Sequence, residues 1–164
     1  MAPRSGLLPT TVLVAAALVG PSAAAAANGQ SPCTLATQAE VKAAFGGTVG
    51  AGKLDNSIPG APTCHFSIKG SNLGMSGSAV VFITPGRTKA TFALAKKIAP
   101  GAVSISGIGN GAFYNPYTTA IELIKGTTVA TAQAIFTNPG GPQVSAVKVK
   151  AGVTVLAKSV AKHL

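Results

Sequence analysis

The chain has 164 residues, 47% of them hydrophobic and only 10% charged, with a formal net charge of +10 and no tryptophan. That length makes one domain with a core able to bury on the order of two thirds of its unfolded surface. The positive excess comes from a scarcity of acids: lysines stand singly or in pairs, as in Lys96-Lys97, and this scatter excludes a nucleic-acid-binding arm with clustered bases and stacking aromatics.

The first twenty-seven residues read as an export signal. Arg4 supplies a positive start, Val12 to Val19 is an unbroken apolar run, Gly20-Pro21 breaks it, and Ala25-Ala26-Ala27 offers the small-x-small cleavage pattern. The apolar run is too short for a membrane-spanning helix, which needs about twenty residues, and no later stretch approaches that length. A lipid-accepting cysteine would directly follow the apolar region, whereas Cys33 lies beyond it, after Gln30-Ser31-Pro32. The expected product starts near Asn28, is extracytoplasmic and soluble, and is a single domain over 28–164. Loss of Arg4 leaves twelve basic residues against three acidic ones, a net charge of +9. A scattered basic surface usually serves solubility; the functional alternative is attraction to an anionic envelope polymer or an acidic protein.

The first element after the leader has its start written out. Thr37 followed by Glu40 is a capping box, Val41, Ala44 and Phe45 form one apolar face, and Gly46-Gly47 ends the helix, predicted over 37–45. A weak strand follows in the glycine-rich 46–53, then loop chemistry over 55–60. Thr63 to Lys69 alternates, with Cys64, Phe66 and Ile68 on one side and His65, Ser67 and Lys69 on the other, as a half-buried strand does. In an exported chain the two cysteines most simply form one disulfide, Cys33 to Cys64. A metal pair is the poorer reading, because only His65 and His163 are available to complete it.

Met75 to Thr84 is the next strand, and Thr88 to Ile98 a second helix with lysines in its last turn, where they suit the helix dipole. Ala102 to Ser106 is a short strand. Gly107-Ile108-Gly109-Asn110-Gly111 invites a phosphate-loop reading, but Pro116 follows closely and no long helix does, so tight-turn chemistry is expected there. Thr118 to Lys125 and Thr127 to Thr137 form a hairpin, 138–142 a loop, and 145–163 a helix by the spacing of Val149, Val153, Leu156 and Val160. Residues 145–152 also fit a strand, and Gly152 weakens the helix reading. The order predicts an α+β fold: an antiparallel sheet of about six to seven strands with about three helices packed on one face of it.

Pro32-Cys33-Thr34-Leu35-Ala36-Thr37, then Glu40-Val41 and Gly46, resemble the opening of an actinobacterial family of secreted proteins and lipoproteins, domain of unknown function 3558. Cys64-His65-Phe66, Gly107 to Tyr114, Ile124-Lys125-Gly126 and the closing Leu156-Ala157 follow in that family's order. The resemblance covers nearly all of the exported chain and implies an extracytoplasmic α+β domain bridged between these two cysteines, with no established activity. The chain differs in having Asn110 where the family commonly has Asp, and Phe66 where it commonly has an aromatic such as Trp.

Catalytic parts are few. The acids after the leader are Glu40, assigned to the cap, Asp55 in a loop, and Glu122, expected on a solvent-facing strand side. His65 reads as an outward strand residue and His163 as a chain end, and there is no G-x-S-x-G elbow. The sequence therefore leads to a secreted non-catalytic binding or accessory domain at the bacterial cell envelope, requiring no cofactor or metal and spanning no membrane. The alternative is a secreted hydrolase or an enzyme-inhibitor-like protein. Phe113, Tyr114 and Tyr117, after the central glycines, are the candidate partner-binding residues.

Overall fold

The computed structural model describes residues 29–84, 86–137 and 145–164. The expected export signal and the loop at 138–142 lie outside the described residues. Among the described residues three α-helices and eight strands follow a 3-10 turn at Pro32–Thr34: α1 (Gln38–Phe45), β1 (Thr48–Val49), β2 (Lys53–Asp55), β3 (Thr63–Lys69), β4 (Ser76–Thr84), α2 (Lys89–Ile98), β5 (Val103–Ile105), β6 (Gly111–Asn115), β7 (Ala120–Lys125), β8 (Thr128–Thr137) and α3 (Ala146–His163). The fold is the expected α+β. Among the described residues no helix is long and apolar enough to cross a membrane.

All strand pairs are antiparallel, in the order β1-β3-β4-β8-β7-β6-β5, and β2 also pairs with β3. β1 and β2 share one edge of β3: Val49 faces Ile68 and Lys53 faces His65, so the edge strand carries one extra residue across Gly50–Gly52. That is a bulge, which bends an edge strand and removes a flat template for foreign pairing. It explains why the weak strand expected over 46–53 is two short ones. The β7–β8 hairpin closes through Gly126-Thr127, and Gly126 takes φ 61° at the first central position, as a type II′ turn demands.

α1 starts as its sequence spells it. The Thr37 N–H donates to Glu40 Oε2 at 2.8 Å, and the Glu40 N–H donates to Thr37 Oγ1 at 3.2 Å. His163 Nε2, at the far end of α3, lies 3.0 Å from Glu40 Oε1 and ties the two helices together. The ambiguous 145–152 is helical from Ala146. Gly152 is the reason α1 and α3 can cross closely: a Cβ there would sit 2.5 Å from the Phe45 ring and 3.0 Å from the Ala44 carbonyl oxygen. A residue that weakens the helix locally thus makes its packing possible.

The main core lies between the sheet and the α1–α3 pair. Cys64, Val81, Ala132, Ile121 and Tyr114 follow one another across five strands on that face, and Val149, Val153, Leu156 and Val160 of α3 close over them. Cys33 and Cys64 are joined, their Cα atoms 5.0 Å apart, which fastens the 3-10 turn to β3. Closing 31 residues in this way is worth roughly 3–4 kcal/mol in the chain-entropy description.

The placement of the helices on one face needs correction for α2. Phe92 packs against Phe113 with ring centroids 5.3 Å apart, and Phe113 points away from the α3 face, where its neighbours Ala112 and Tyr114 point. α2 therefore lies on the opposite face.

Two expectations follow. Gly152→Ala should destabilise the fold by about 1–3 kcal/mol in denaturant melts, although alanine is the better helix former, because the methyl overpacks the Phe45 contact. Glu40 should shape the acid side of the stability profile. Its desolvation raises its pKa, but the Thr37 N–H, His163 and the Thr37 hydroxyl outweigh this and hold it below its ordinary value of 4.5. A carboxyl with a depressed folded pKa stabilises fully above its unfolded pKa and loses that stabilisation as pH falls through the folded one. Glu40→Gln should cost about 1 kcal/mol at neutral pH and flatten the fall in stability below pH 4.5.

Candidate functional site

The three residues expected to form a partner surface do not come together. Phe113 is fully buried beneath α2, and Tyr114 is buried on the opposite face beneath α3. Consecutive strand residues point to opposite sides of a sheet, so Phe113 and Tyr114 could share a surface only outside a strand. Tyr117 alone is exposed, in the β6–β7 loop. Among the described residues the Tyr114 hydroxyl has no hydrogen-bond partner, and burial pushes its pKa up; the Lys150 ammonium sits 5.5 Å from its ring centroid.

The central glycine segment is a plug and a turn. Ile108 enters the core, the Asn110 N–H donates to the Ile124 carbonyl at 2.7 Å, and Asn110 Oδ1 accepts from the Gly126 N–H at 2.6 Å. These contacts pin the segment to the β7–β8 turn, and its amides are not arrayed at the start of a helix.

The concave surface lies elsewhere, on the face that α2 covers only in part. Two rows of side chains cross it. Thr63, Phe82, Thr131, Glu122 and Phe113 form one, and His65, Val80, Gln133, Ala120 and Asn115 the other. α2 closes the Phe113 end and the remainder is open. Two hollows of about 280 Å³ and about 330 Å³ lie along it and share Phe82 and Gln133, so they adjoin along one trough.

Its floor is apolar toward His65, with Phe82, Val80 and Ile135, and becomes polar toward Arg87, with Gln133 and Thr131. Its ends are polar. At one end Arg87 Nη1 donates to Glu122 Oε2 at 2.5 Å in a half-buried ion pair. Glu122, expected to face solvent, is thus held in a wall of the trough. At the other end His65 Nε2 lies 2.9 Å from Thr63 Oγ1 and 3.8 Å from Asp55 Oδ2. The Asp55 carboxyl is held below its ordinary range, first by the Ser57 N–H that donates to it and further by His65. The β6–β7 loop forms a third side. Gln133 Nε2 donates to the Thr118 carbonyl at 2.8 Å, and Thr119 adopts φ 51° while its hydroxyl donates to the Ala134 carbonyl. A β-branched residue in that left-handed region is uncommon and tends to accompany a built site.

A third hollow of about 300 Å³ lies beside the α1–α3 crossing, lined by Phe45, Leu73, Gly152 and Val155. Among the described residues no three His, Cys, Asp or Glu side chains converge as metal ligands would.

The trough was missed in the sequence because its residues come from β3, β4, β7 and β8, which the register alone brings into line. The available signal was the apolar Val80, Phe82 and Ile135 on strand sides that should be polar if they faced solvent. Searches against family models, curated proteins and solved structures return no match to this chain.

If Tyr114 serves packing alone, Tyr114→Phe should leave stability unchanged or raise it by up to about 1 kcal/mol, because it removes a buried hydroxyl without a partner. Thermal melts at matched pH measure this.

Proposed function

We propose that this is a secreted, non-catalytic binding domain of the cell envelope and that the open part of the sheet is its ligand face. The observation that carries the proposal is the trough, in which apolar Phe82, Val80 and Ile135 and polar Thr131 and Gln133 lie between an Arg87–Glu122 pair and a His65–Asp55 pair. Ligand sites commonly combine apolar lining with a few placed polar groups. The export signal, the single disulfide and the resemblance to domain of unknown function 3558 support an extracytoplasmic setting. The net positive charge supports an anionic envelope component as the ligand.

The rival is a secreted hydrolase, with Thr63, His65 and Asp55 as its parts. Nucleophilic relay requires the carboxylate on one ring nitrogen and the hydroxyl on the other. Here both groups approach Nε2 of His65, and Nδ1 has no carboxylate. That geometry favours binding over turnover.

The test is retention of the exported chain on a cell-envelope fraction at low salt. Ile58 and Ile135 line the trough and are 61% and 45% exposed, so Ile58→Ser with Ile135→Ser should leave the fold intact. Retention should fall roughly tenfold in this variant. Retention equal to that of the parent would dismiss the trough as the ligand face. Ester or glycoside turnover that disappears with His65→Ala would replace binding by catalysis.

A further inference from the structure

We infer that α2, with the neighbouring Tyr117 loop, docks the protein on an anionic lipid surface, the helix lying in the plane of the interface. α2 packs on the sheet through Phe92 yet fully buries none of its side chains. Leu94 and Ile98, one turn apart, are 55% and 70% exposed. Lys89, Lys96 and Lys97 are on the same helix, which has no acid. A short helix that combines exposed apolar residues with lysines is the composition of an interfacial helix.

The surface extends beyond the helix. A Cβ on Gly101 would come within 3.2 Å of Pro116, so the turn that ends α2 touches the loop that carries Tyr117. Tyr117 is 78% exposed. Ile98 and Tyr117 therefore stand at the same end of the molecule, and tyrosine favours the headgroup level of a bilayer.

Charge and apolar surface together decide the occupant. Glu40 and Asp55 are held in contacts away from α2, and Glu122, beside the start of the helix, is engaged by Arg87, so no acid is paired with the helix's lysines. A soluble polyanion would satisfy the lysines and leave Leu94 and Ile98 in water. A second copy would bring a charge of +9 against +9. An anionic bilayer takes up both features at once.

The test is co-sedimentation of the exported chain with phosphatidylcholine vesicles, with and without phosphatidylglycerol. Binding should require phosphatidylglycerol and weaken with salt. Leu94→Ser with Ile98→Ser keeps the charge and should weaken binding roughly tenfold, and Lys96→Gln with Lys97→Gln by a similar factor. Both pairs are exposed, so unchanged melting temperatures will separate lost docking from lost folding. The chain has no tryptophan, so Tyr117→Trp provides a single indole whose emission should shift to the blue on anionic vesicles. Parent-level binding by the Leu94/Ile98 variant, or an unshifted indole in the bound state, overturns the inference. Parent-level binding by that variant together with displacement by soluble polyphosphate would assign the lysines to a polymer instead.

Discussion

How closely α3 approaches the sheet governs the rest of the molecule. β8 turns Ala130, Ala132 and Ala134 toward the helix, β4 adds Ala79, and α3 answers with Gly152 where it meets α1. Methyl groups and a missing Cβ leave room for Val149, Val153, Leu156 and Val160 to reach the sheet. The larger Phe45, Phe66, Ile121 and Leu123 complete the core around them. Interiors pack at crystal-like density, so one added methyl at the crossing is felt by both helices and by the strands beneath. The disulfide acts on the same side, holding the segment before α1 to the start of β3.

That economy leaves the two faces of the sheet unequal. The covered face contains nearly all of the large buried side chains, so stability does not require the other face to be closed. An antiparallel sheet with one solvated face ordinarily alternates apolar and polar residues along each strand. β3 obeys this, with Cys64, Phe66 and Ile68 inward and His65, Ser67 and Lys69 outward. β4 does not, because Val80 and Phe82 occupy the outer side, and neither does β8 at Ile135. Phe113, Ile124 and Val129 at the far end are buried, with Phe92 of α2 lying on Phe113. Apolar residues that neither the core nor α2 needs are the part of the pattern that folding leaves unexplained.

Local chemistry was the legible part of the sequence. The α1 capping box, the strand of Thr63–Lys69, the hairpin turn at Gly126 and the disulfide all depend on neighbours in sequence or on a forced pairing of two cysteines. What could not be read depends on register and on helix placement. Phe113 and Tyr114 read as one partner surface with Tyr117 because nothing near them announces β6, whose partner lies across a four-residue loop. Gly152 looked like a weakness because its use depends on Phe45, more than a hundred residues earlier. The side of the sheet taken by α2 was not readable from a helix that buries so little.

The charges fit the same division. Each of the three acids is engaged by neighbouring groups. Glu40 caps α1, Asp55 accepts from Ser57 in its loop, and Glu122 holds Arg87 against the sheet. Among the described residues no lysine is paired with an acid; Lys125 donates to the Ala161 carbonyl and Lys96 to Ser104. Exposed ion pairs contribute about 0–1 kcal/mol each, so a chain stabilised by its core and a disulfide loses little by omitting them. The unpaired lysines instead repel one another, a cost that salt or an external anion relieves. Stability and charge are thus carried by different parts of the structure, and the charge is available for association without being needed for the fold.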